Sequence, residues 1–180
     1  MTPDGLADSA PKNSCMNNTF QLPEEREMRF CDFIDTLDAN GNKDEILYLQ
    51  KQNNCLSLDY PELAKDVPKD IRFFTEALGS QPDAVNIWMG SSQSVSSLHR
   101  DPYENIYTVI RGKKIFKLYA PTDRGYIKYT ECKVRRHSRK GGKWKLIKEP
   151  DLATVKWIVG GADQIAKSLE PIIGIIRTYN

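Results

Sequence analysis

The sequence predicts a mainly β fold, an antiparallel sandwich or jelly roll with flanking helices. Strand-like segments outnumber helix-like ones, they recur at sandwich spacing, and glycine-containing turns separate two pairs of them. The 180 residues suffice for one domain with a buried core. Hydrophobic residues make up 39% and charged residues 28%, which argues against a wholly disordered chain.

Two helices are predicted in the first half of the chain. Pro23, with acids directly after it, favours a helix start, and apolar residues follow at helical spacing. A second helix is expected over residues 70–78, because Pro68 precedes it and Gly79 can end it. Residues 1–20 are rich in Asn, Ser, Asp and Pro, so we expect an extended or poorly ordered lead-in.

The predicted strands alternate apolar and polar residues or form short apolar runs. They are residues 45–50, 84–89, 105–110, 114–119, 130–136 and 143–147. Residues 111–113 predict a hairpin between the third and fourth strands. The sequence Lys140-Gly141-Gly142 predicts another between the last two.

The charge is distributed unevenly along the chain. The net charge is +2, yet residues 133–148 contain eight Lys or Arg residues and no acid, which leaves −6 for the remainder. This basic hairpin, residues 133–148, also contains Trp144. It can be a solvated rim, it can steer an acidic substrate, or it can make the chain a non-catalytic module that binds RNA or an acidic protein surface.

The cysteines indicate a reducing compartment. None of the four forms a CxxC pair, so we expect free thiols and a cytoplasmic or nuclear protein. Residues 1–17 lack the basic and apolar regions of a secretory signal. The longest apolar stretch, residues 171–176, is far shorter than the roughly 20 residues of a membrane span, so no membrane partner is expected.

His99 and Asp101 are the main candidates for chemistry. In extended backbone, side chains two residues apart point to one face, so an imidazole and a carboxylate can meet at one point. With a second histidine, such a pair forms the facial triad of non-haem Fe(II) oxygenases. The alternative is a turn in which the histidine hydrogen-bonds a nearby carboxylate.

Lys114 and three polar side chains could bind a co-substrate. A lysine inside a β barrel needs an acid or an anionic ligand, and the distal carboxylate of 2-oxoglutarate is such a ligand. Ser96 and Tyr48 offer hydroxyl donors to that carboxylate, and Asn105 can hydrogen-bond near the metal end. The alternative for Lys114 is an ordinary exposed hairpin lysine.

A series of segments, in order along the chain, resembles the jumonji-C oxygenases. They are residues 2–8, 48–52, 76–79, 83–90, 97–101, 103–107 and 112–114. The resemblance implies a double-stranded β-helix, the cupin-like jelly roll, over residues 21–158. By position, it implies that His99 and Asp101 are iron ligands, and that Tyr48, Ser96, Asn105 and Lys114 bind the co-substrate.

The resemblance also implies cofactors and substrates. Fe(II), 2-oxoglutarate and O2 would be used to hydroxylate a lysine side chain of a protein, with developmentally regulated GTP-binding proteins as the family's proposed substrates. Histone-tail peptidase or demethylase activity is the alternative. A homo-oligomer is a further possibility, and nucleic acid is a lesser candidate partner.

The second histidine of the triad is missing from its expected place. The resemblance begins at Thr2 and fades after residue 158, where residues 159–180 form a divergent tail with no histidine. We therefore expect an incomplete jelly roll, from an alternative transcript, a partial gene model or a degenerate paralogue. His137 lies among arginines, so we interpret it as a solvated or partner-facing side chain and not as an iron ligand.

Overall fold

The structure is a computed structural model, and it describes residues 1–10, 18–39, 46–151, 153–159 and 171–177. The chain divides into two units. The first combines Met1–Glu27 with Val95–Asn180, and the second is Met28–Ser94. Strands dominate the described residues, with a few short helices, which confirms the mainly β fold class. None of the described helices has the length and apolar character needed to cross a bilayer.

The first unit is organised around one long strand. Strands β1 and β2 are Leu6–Ala7 and Thr19–Leu22, β5 is Val95–Ser96 and β6 is Lys113–Leu118. Strands β7 to β10 are Tyr129–Lys140, Lys143–Lys148, Thr154–Ile158 and Ile172–Arg177. Strand β7 pairs in parallel with β2 and antiparallel with β8 and β9. In separate ladders, β1 pairs in parallel with β5 and β10 pairs antiparallel with β6.

The core of this unit lies on one face of β7. Cys132 and Val134, two residues apart, point to the same face and are buried there with Phe20, the β2 neighbour of Val134. The Trp157 ring packs on the Phe20 ring with centroids 4.6 Å apart. Full burial of a Val or Phe side chain contributes roughly 1.5–3 kcal/mol, so Phe20 and Val134 stabilise the packing of β2 beside β7.

The second unit contains short helices and a two-stranded ladder. Helix α1 is Phe30–Asp38, α2 is Cys55–Leu58 and α3 is Arg72–Leu78, while β3 is Tyr48–Gln50 and β4 is Trp88–Gly90. Strands β3 and β4 pair antiparallel. Asn86 is a polar residue within the apolar run 84–89. Its Oδ1 accepts a hydrogen bond from the Cys55 backbone N–H at 3.2 Å, which accounts for a polar side chain at this position.

Glycines in the sequence correctly predicted the end of one helix and the turn of one hairpin. Helix α3 ends where Gly79 adopts a left-handed conformation, with φ of +67°, and donates its N–H to the Thr75 carbonyl. Strands β7 and β8 form the predicted hairpin, with positive φ at both Gly141 and Gly142. Of the four cysteines, Cys31, Cys55 and Cys132 are free thiols, whereas Cys15 lies outside the described residues.

Two predictions of secondary structure were wrong. Helix α1 begins at Phe30 and not near Pro23, because tertiary hydrogen bonds hold residues 23–25 extended: the Met1 ammonium donates to the Glu24 carbonyl and Arg136 donates to the Pro23 carbonyl. Residues 105–110 are not a strand, so they form no hairpin with β6. Strand β6 pairs instead with the isoleucine-rich β10, and Tyr107 contributes a ring that packs edge-on against Phe116.

The ends of the chain are part of the first unit. Thr2, Ser9 and Ala10 are buried, although they fall in the predicted lead-in. Residues 172–177, in the predicted tail, form β10. The sequence Asn40-Gly41-Asn42, which predicts the end of the first helix, lies outside the described residues. The division of the chain at residues 20 and 158 stays a prediction.

Candidate metal and co-substrate site

A short hydrogen-bonded path orients the His99 imidazole. Ser97 Oγ donates to the Asp8 carbonyl at 2.5 Å, which ties the segment after β5 to the end of β1. His99 Nδ1 lies 2.7 Å from the Ser97 carbonyl. A carbonyl only accepts, so Nδ1 carries a hydrogen; in the neutral imidazole the lone pair that a metal binds is then on Nε2. Metal-binding histidines typically donate their other ring N–H to a carbonyl or carboxylate in this way.

The Nε2 atom of His99 lies beside a carboxylate. His99 Nε2 is 3.6 Å from Asp101 Oδ2, and the two side chains are 43% and 62% exposed. Donors that each bind one divalent cation at about 2.0–2.2 Å can be this far apart, so one cation can contact both atoms. The residues present therefore fit two positions of an Fe(II) site. His99 and Asp101 are therefore close together as predicted, although residues 99–101 do not form a β-strand.

Asp8 is a neighbour of this pair that the sequence reasoning missed. Burial raises the pKa of the Asp8 carboxyl, while the nearby His99 and Arg136 side chains act in the opposite direction. Asp8 also adopts a positive φ of +48°, which is uncommon for a residue other than glycine. Its position at the end of segment 2–8, one of the segments that carry the resemblance, was the available signal.

Lys114 lies on the sheltered face of β6. Lys114 and Phe116 are half-buried, whereas Lys113, Ile115 and Lys117 on the opposite face are exposed. Burial lowers the pKa of the Lys114 ammonium, because desolvation disfavours its charged form. Lys114 is therefore not an ordinary exposed lysine, and an anionic ligand there would favour its charge.

The other predicted site residues are placed by separate elements. Ser96 lies on β5 opposite Ala7 of β1 and is exposed, as is Asn105. Among the contacts of residues 95–151, none joins the side chain of Ser96 or Asn105 to the His99–Asp101 pair. The structure thus brings the two predicted iron ligands together, while the co-substrate roles of Ser96, Asn105 and Lys114 stay predictions.

Tyr48 belongs to the second unit, where it is the β3 partner of Gly90 on β4. Gly90 allows this packing, because a Cβ at that position would overlap the Tyr48 ring and lie 2.8 Å from Ser94 Oγ. Tyr48 is half-buried, and its role in holding a co-substrate stays a prediction.

The interpretation of His137 as a solvated side chain was wrong. His137 is buried, its Nε2 lies 3.1 Å from Gln21 Oε1, and the Trp144 ring packs against it at right angles. Burial lowers the pKa of His137, because the charged imidazolium is disfavoured there. The run of arginines suggested exposure, but Gln21, paired from the neighbouring strand β2, and Trp144 of β8 cover the imidazole. Across the described ranges, no three His, Cys, Asp or Glu side chains cluster as a metal site.

Comparison with known proteins decides the family. A family model described as a cupin-like domain matches residues 1–163. The chain belongs to the cupin-like domain family. This membership confirms the predicted jelly-roll fold class, and the relatives confirm the resemblance to jumonji-C proteins.

Three relatives show how far the similarity extends. The human bifunctional peptidase and (3S)-lysyl hydroxylase JMJD7 is 35% identical over 159 residues, which is 88% of this chain and 49% of the relative. JmjC domain-containing protein E of Dictyostelium discoideum is 41% identical over 142 residues, 73% of this chain and 39% of the relative. Lysine-specific demethylase JMJ32 of Arabidopsis thaliana is 35% identical over 159 residues, 87% of this chain and 46% of the relative. The chain thus spans half or less of the length of each.

Proposed function

We propose that this chain carries the first part of an Fe(II)- and 2-oxoglutarate-dependent protein hydroxylase site, with iron held by His99 and Asp101. The observation that carries the proposal is the 3.6 Å approach of His99 Nε2 to Asp101 Oδ2, with the His99 tautomer fixed through Nδ1. A backbone carbonyl sets the ring orientation, so Nε2 is available to a metal without a change of rotamer.

Lys114, Ser96 and Asn105 are the residues that we assign to 2-oxoglutarate. The Lys114 ammonium would bind the distal carboxylate, and the Ser96 hydroxyl would donate to it. Support comes from the position of Lys114 beside Phe116 on the sheltered face of β6, where burial lowers its pKa and an anionic ligand would favour its charged form. Asn105 would hydrogen-bond near the metal end of the co-substrate.

When bound, Fe(II) would allow 2-oxoglutarate and O2 to be converted to succinate and CO2, with the second oxygen atom inserted into a substrate C–H bond. The protein residues bind and orient: His99 and Asp101 fix the metal on one side, and Lys114 fixes the far end of the co-substrate. Since Nδ1 of His99 is already hydrogen-bonded, the ring cannot flip without losing that bond.

The substrate that we propose is a lysine side chain of a protein, in the cytoplasm or nucleus. Support comes from the name of the human relative, a (3S)-lysyl hydroxylase, and from free thiols that suit a reducing compartment. Developmentally regulated GTP-binding proteins are the candidate substrates. Demethylation and peptide cleavage, which the relatives' names also mention, are outcomes that the experiment separates.

The histidine count limits this chain. The sequence has two histidines, and His137 is buried against Gln21 and Trp144. Two protein ligands hold a divalent metal less tightly than three, so we expect the 180-residue chain to bind Fe(II) weakly and to turn over slowly.

The test is turnover of 2-oxoglutarate by the full chain with Fe(II), O2 and a lysine-containing GTP-binding protein. We expect slow succinate formation that Asp101→Ala abolishes, with mass spectrometry showing one added oxygen atom on a lysine. Turnover as fast as that of an oxygenase with three protein ligands would contradict the expected weakness. Succinate formation that Asp101→Ala leaves unchanged would contradict the assigned site, and loss of a methyl group or a cleaved backbone would contradict hydroxylation.

A further inference from the structure

The basic hairpin presents different side chains on its two faces. Strands β7 and β8 are joined by Gly141 and Gly142 with φ of +58° and +76°, the geometry of a two-residue type I′ turn. Because side chains alternate along a strand, Lys143 and Lys145 share one face of β8. Trp144 and Leu146 share the other.

The outer edge of β8 is open in the described part of the chain. Strand β8 pairs with β7 on one side, and no described strand pairs with the other. In a two-residue hairpin the residues that flank the turn, here Lys140 and Lys143, form a hydrogen-bonded pair. Trp144, Leu146 and Lys148 therefore direct their backbone N–H and C=O groups outward. Leu146 is 42% exposed, in agreement with an uncovered edge.

The charges at this edge are not neutralised within the described chain. Arg136, at the base of the hairpin, is paired with Glu25 and Glu149. By contrast, no described acid forms an ion pair with Lys143 or Lys145. Lys140 faces Lys143 across the ladder and Arg135 faces Lys148, although like charges in direct opposition are unfavourable. Single lysines at the edge would be enough to prevent pairing with another sheet. Cations placed directly opposite each other, as in Lys140–Lys143 and Arg135–Lys148, are not needed for that purpose, so they favour a role in binding an anionic partner.

The aromatic side chain of the hairpin favours a protein over a nucleic acid. The Arg139 guanidinium lies 5.8 Å from the centroid of the Trp144 ring, and the His137 ring packs edge-on 5.9 Å away. Base stacking, which supplies much of the affinity for single-stranded nucleic acid, needs an uncovered aromatic face. The Trp144 ring already packs against His137 and Arg139 within the hairpin, so it is less suited to stack on a base.

We propose that the outer edge of β8 binds an extended acidic protein segment as an added strand. Acidic side chains of the segment lie beside Lys143 and Lys145. β-Branched or apolar side chains at the alternate positions lie beside Trp144 and Leu146. Main-chain hydrogen bonds supply the attachment and the alternating pattern supplies the specificity, as in other cases of strand addition. This interaction does not depend on the iron site.

The test measures binding of a labelled synthetic peptide with alternating Glu and Val or Thr residues to the full chain by fluorescence anisotropy. A peptide of the same composition with its acids in one block is the control. We expect the alternating peptide to bind about tenfold more tightly, since only it places acids on one face and apolar residues on the other. Raising the salt should weaken binding severalfold, because the charges are exposed.

Variants and modified peptides separate strand addition from simple charge attraction. Lys143→Glu with Lys145→Glu should weaken binding about tenfold, whereas Lys128→Glu, an exposed lysine outside the hairpin, should change it less than about twofold. In an added strand only every second peptide N–H faces β8. N-methylation of those amides should abolish binding, whereas N-methylation of the alternate set, the other register, should spare it. That measurement needs no protein variant, so it holds even where the double variant fails to fold.

Any of these outcomes would overturn the proposal: equal binding of the block peptide, equal tolerance of both N-methylated registers, or equal loss in the Lys128→Glu control. Tighter binding of a single-stranded oligonucleotide than of the alternating peptide, lost in the Lys143→Glu and Lys145→Glu variant, would assign the hairpin to nucleic acid instead and would also overturn it.

Discussion

Gly90 illustrates how one residue without a side chain determines the position of another. Its backbone lies against the Tyr48 ring and Ser94 Oγ, so an added methyl group has no space. Both contacts lie within the second unit, between β4, β3 and the segment after β4. A small change at Gly90 therefore has to move the Tyr48 ring.

We expect Gly90→Ala to lower the free energy of unfolding by about 1–3 kcal/mol, the usual cost of overpacking. Urea unfolding monitored by tyrosine and tryptophan fluorescence measures it. Gly125→Ala is the matched control, because no atom lies within 4 Å of a Cβ there, and its effect should stay within about 0.5 kcal/mol. Equal effects of the two substitutions would show that the Tyr48 packing is not as described.

His137 predicts a pH dependence of stability. Burial lowers its pKa below the ordinary value of 6.5, so the unfolded chain binds a proton at this position more readily than the folded chain does. The contribution of His137 is complete above about pH 6.5. It declines as the pH falls from there toward the folded-state pKa.

The free energy of unfolding of the wild-type chain should thus decrease on acidification more steeply than that of His137→Gln, which cannot titrate. Urea denaturation at a series of pH values across this window measures the difference. Parallel curves for the two proteins would mean that His137 has the same pKa in both states.

At the residue scale, the sequence predicted contacts between residues that are close together along the chain. His99 and Asp101 are two positions apart, so their proximity follows from short-range geometry. The Gln21 partner of His137 is 116 positions away, and no pattern near residue 137 indicates it. The same holds for the approach of Asp8 to His99, which depends on the pairing of β1 with β5.

The β7–β8 hairpin is the element whose formation depends most clearly on its turn. Both central glycines have positive φ, which costs other residues about 1–2 kcal/mol each unless the side chain tolerates it. Asn is favoured at the first position of this turn type, and a β-branched residue is not accepted at the second.

We expect Gly141→Asn to leave the melting temperature nearly unchanged, and Gly142→Val to lower stability by about 1–2 kcal/mol. Differential scanning calorimetry of the two variants provides the comparison. Equal melting temperatures would contradict the type I′ turn.

At the element scale, the same distinction between local and distant signals applies. The Lys140-Gly141-Gly142 turn predicted its hairpin because both strands flank it. Residues 105–110 have the composition of a strand, but the ladder of β6 is formed by β10, more than 50 positions along the chain. The parallel pairing of β2 with β7 also joins distant residues, so no local pattern predicts it.

Considered as a whole, the chain leaves much apolar surface uncovered in its described part. Ile115 and Leu118 on β6 and Ile172 and Ile173 on β10 are each more than half exposed. Leu118 and Ile172 are direct neighbours across the ladder. Leu118 and Ile172 lie on one face and Ile115 and Ile173 on the other, so each face carries an exposed apolar pair, and exposed apolar surface favours association.

We therefore expect the chain to self-associate as its concentration rises, which is the homo-oligomer that the sequence left open. Sedimentation velocity over a range of concentrations measures it. Replacement of Leu118 and Ile172 by Thr should shift the chain toward monomer, whereas Leu58→Thr, an exposed leucine of the second unit, should not. A chain that stays monomeric at all concentrations would contradict this expectation.

We propose that His99 and Asp101 form one metal site and that Lys114 binds the co-substrate held there. Its most direct test is the visible charge-transfer absorption of an Fe(II)–2-oxoglutarate chelate, titrated anaerobically into the full chain. We expect a weak but saturable band that His99→Ala and Asp101→Ala both abolish. Lys114→Ala should require about tenfold more 2-oxoglutarate, because an ammonium–carboxylate pair is lost. An unchanged band in His99→Ala and Asp101→Ala would contradict the account.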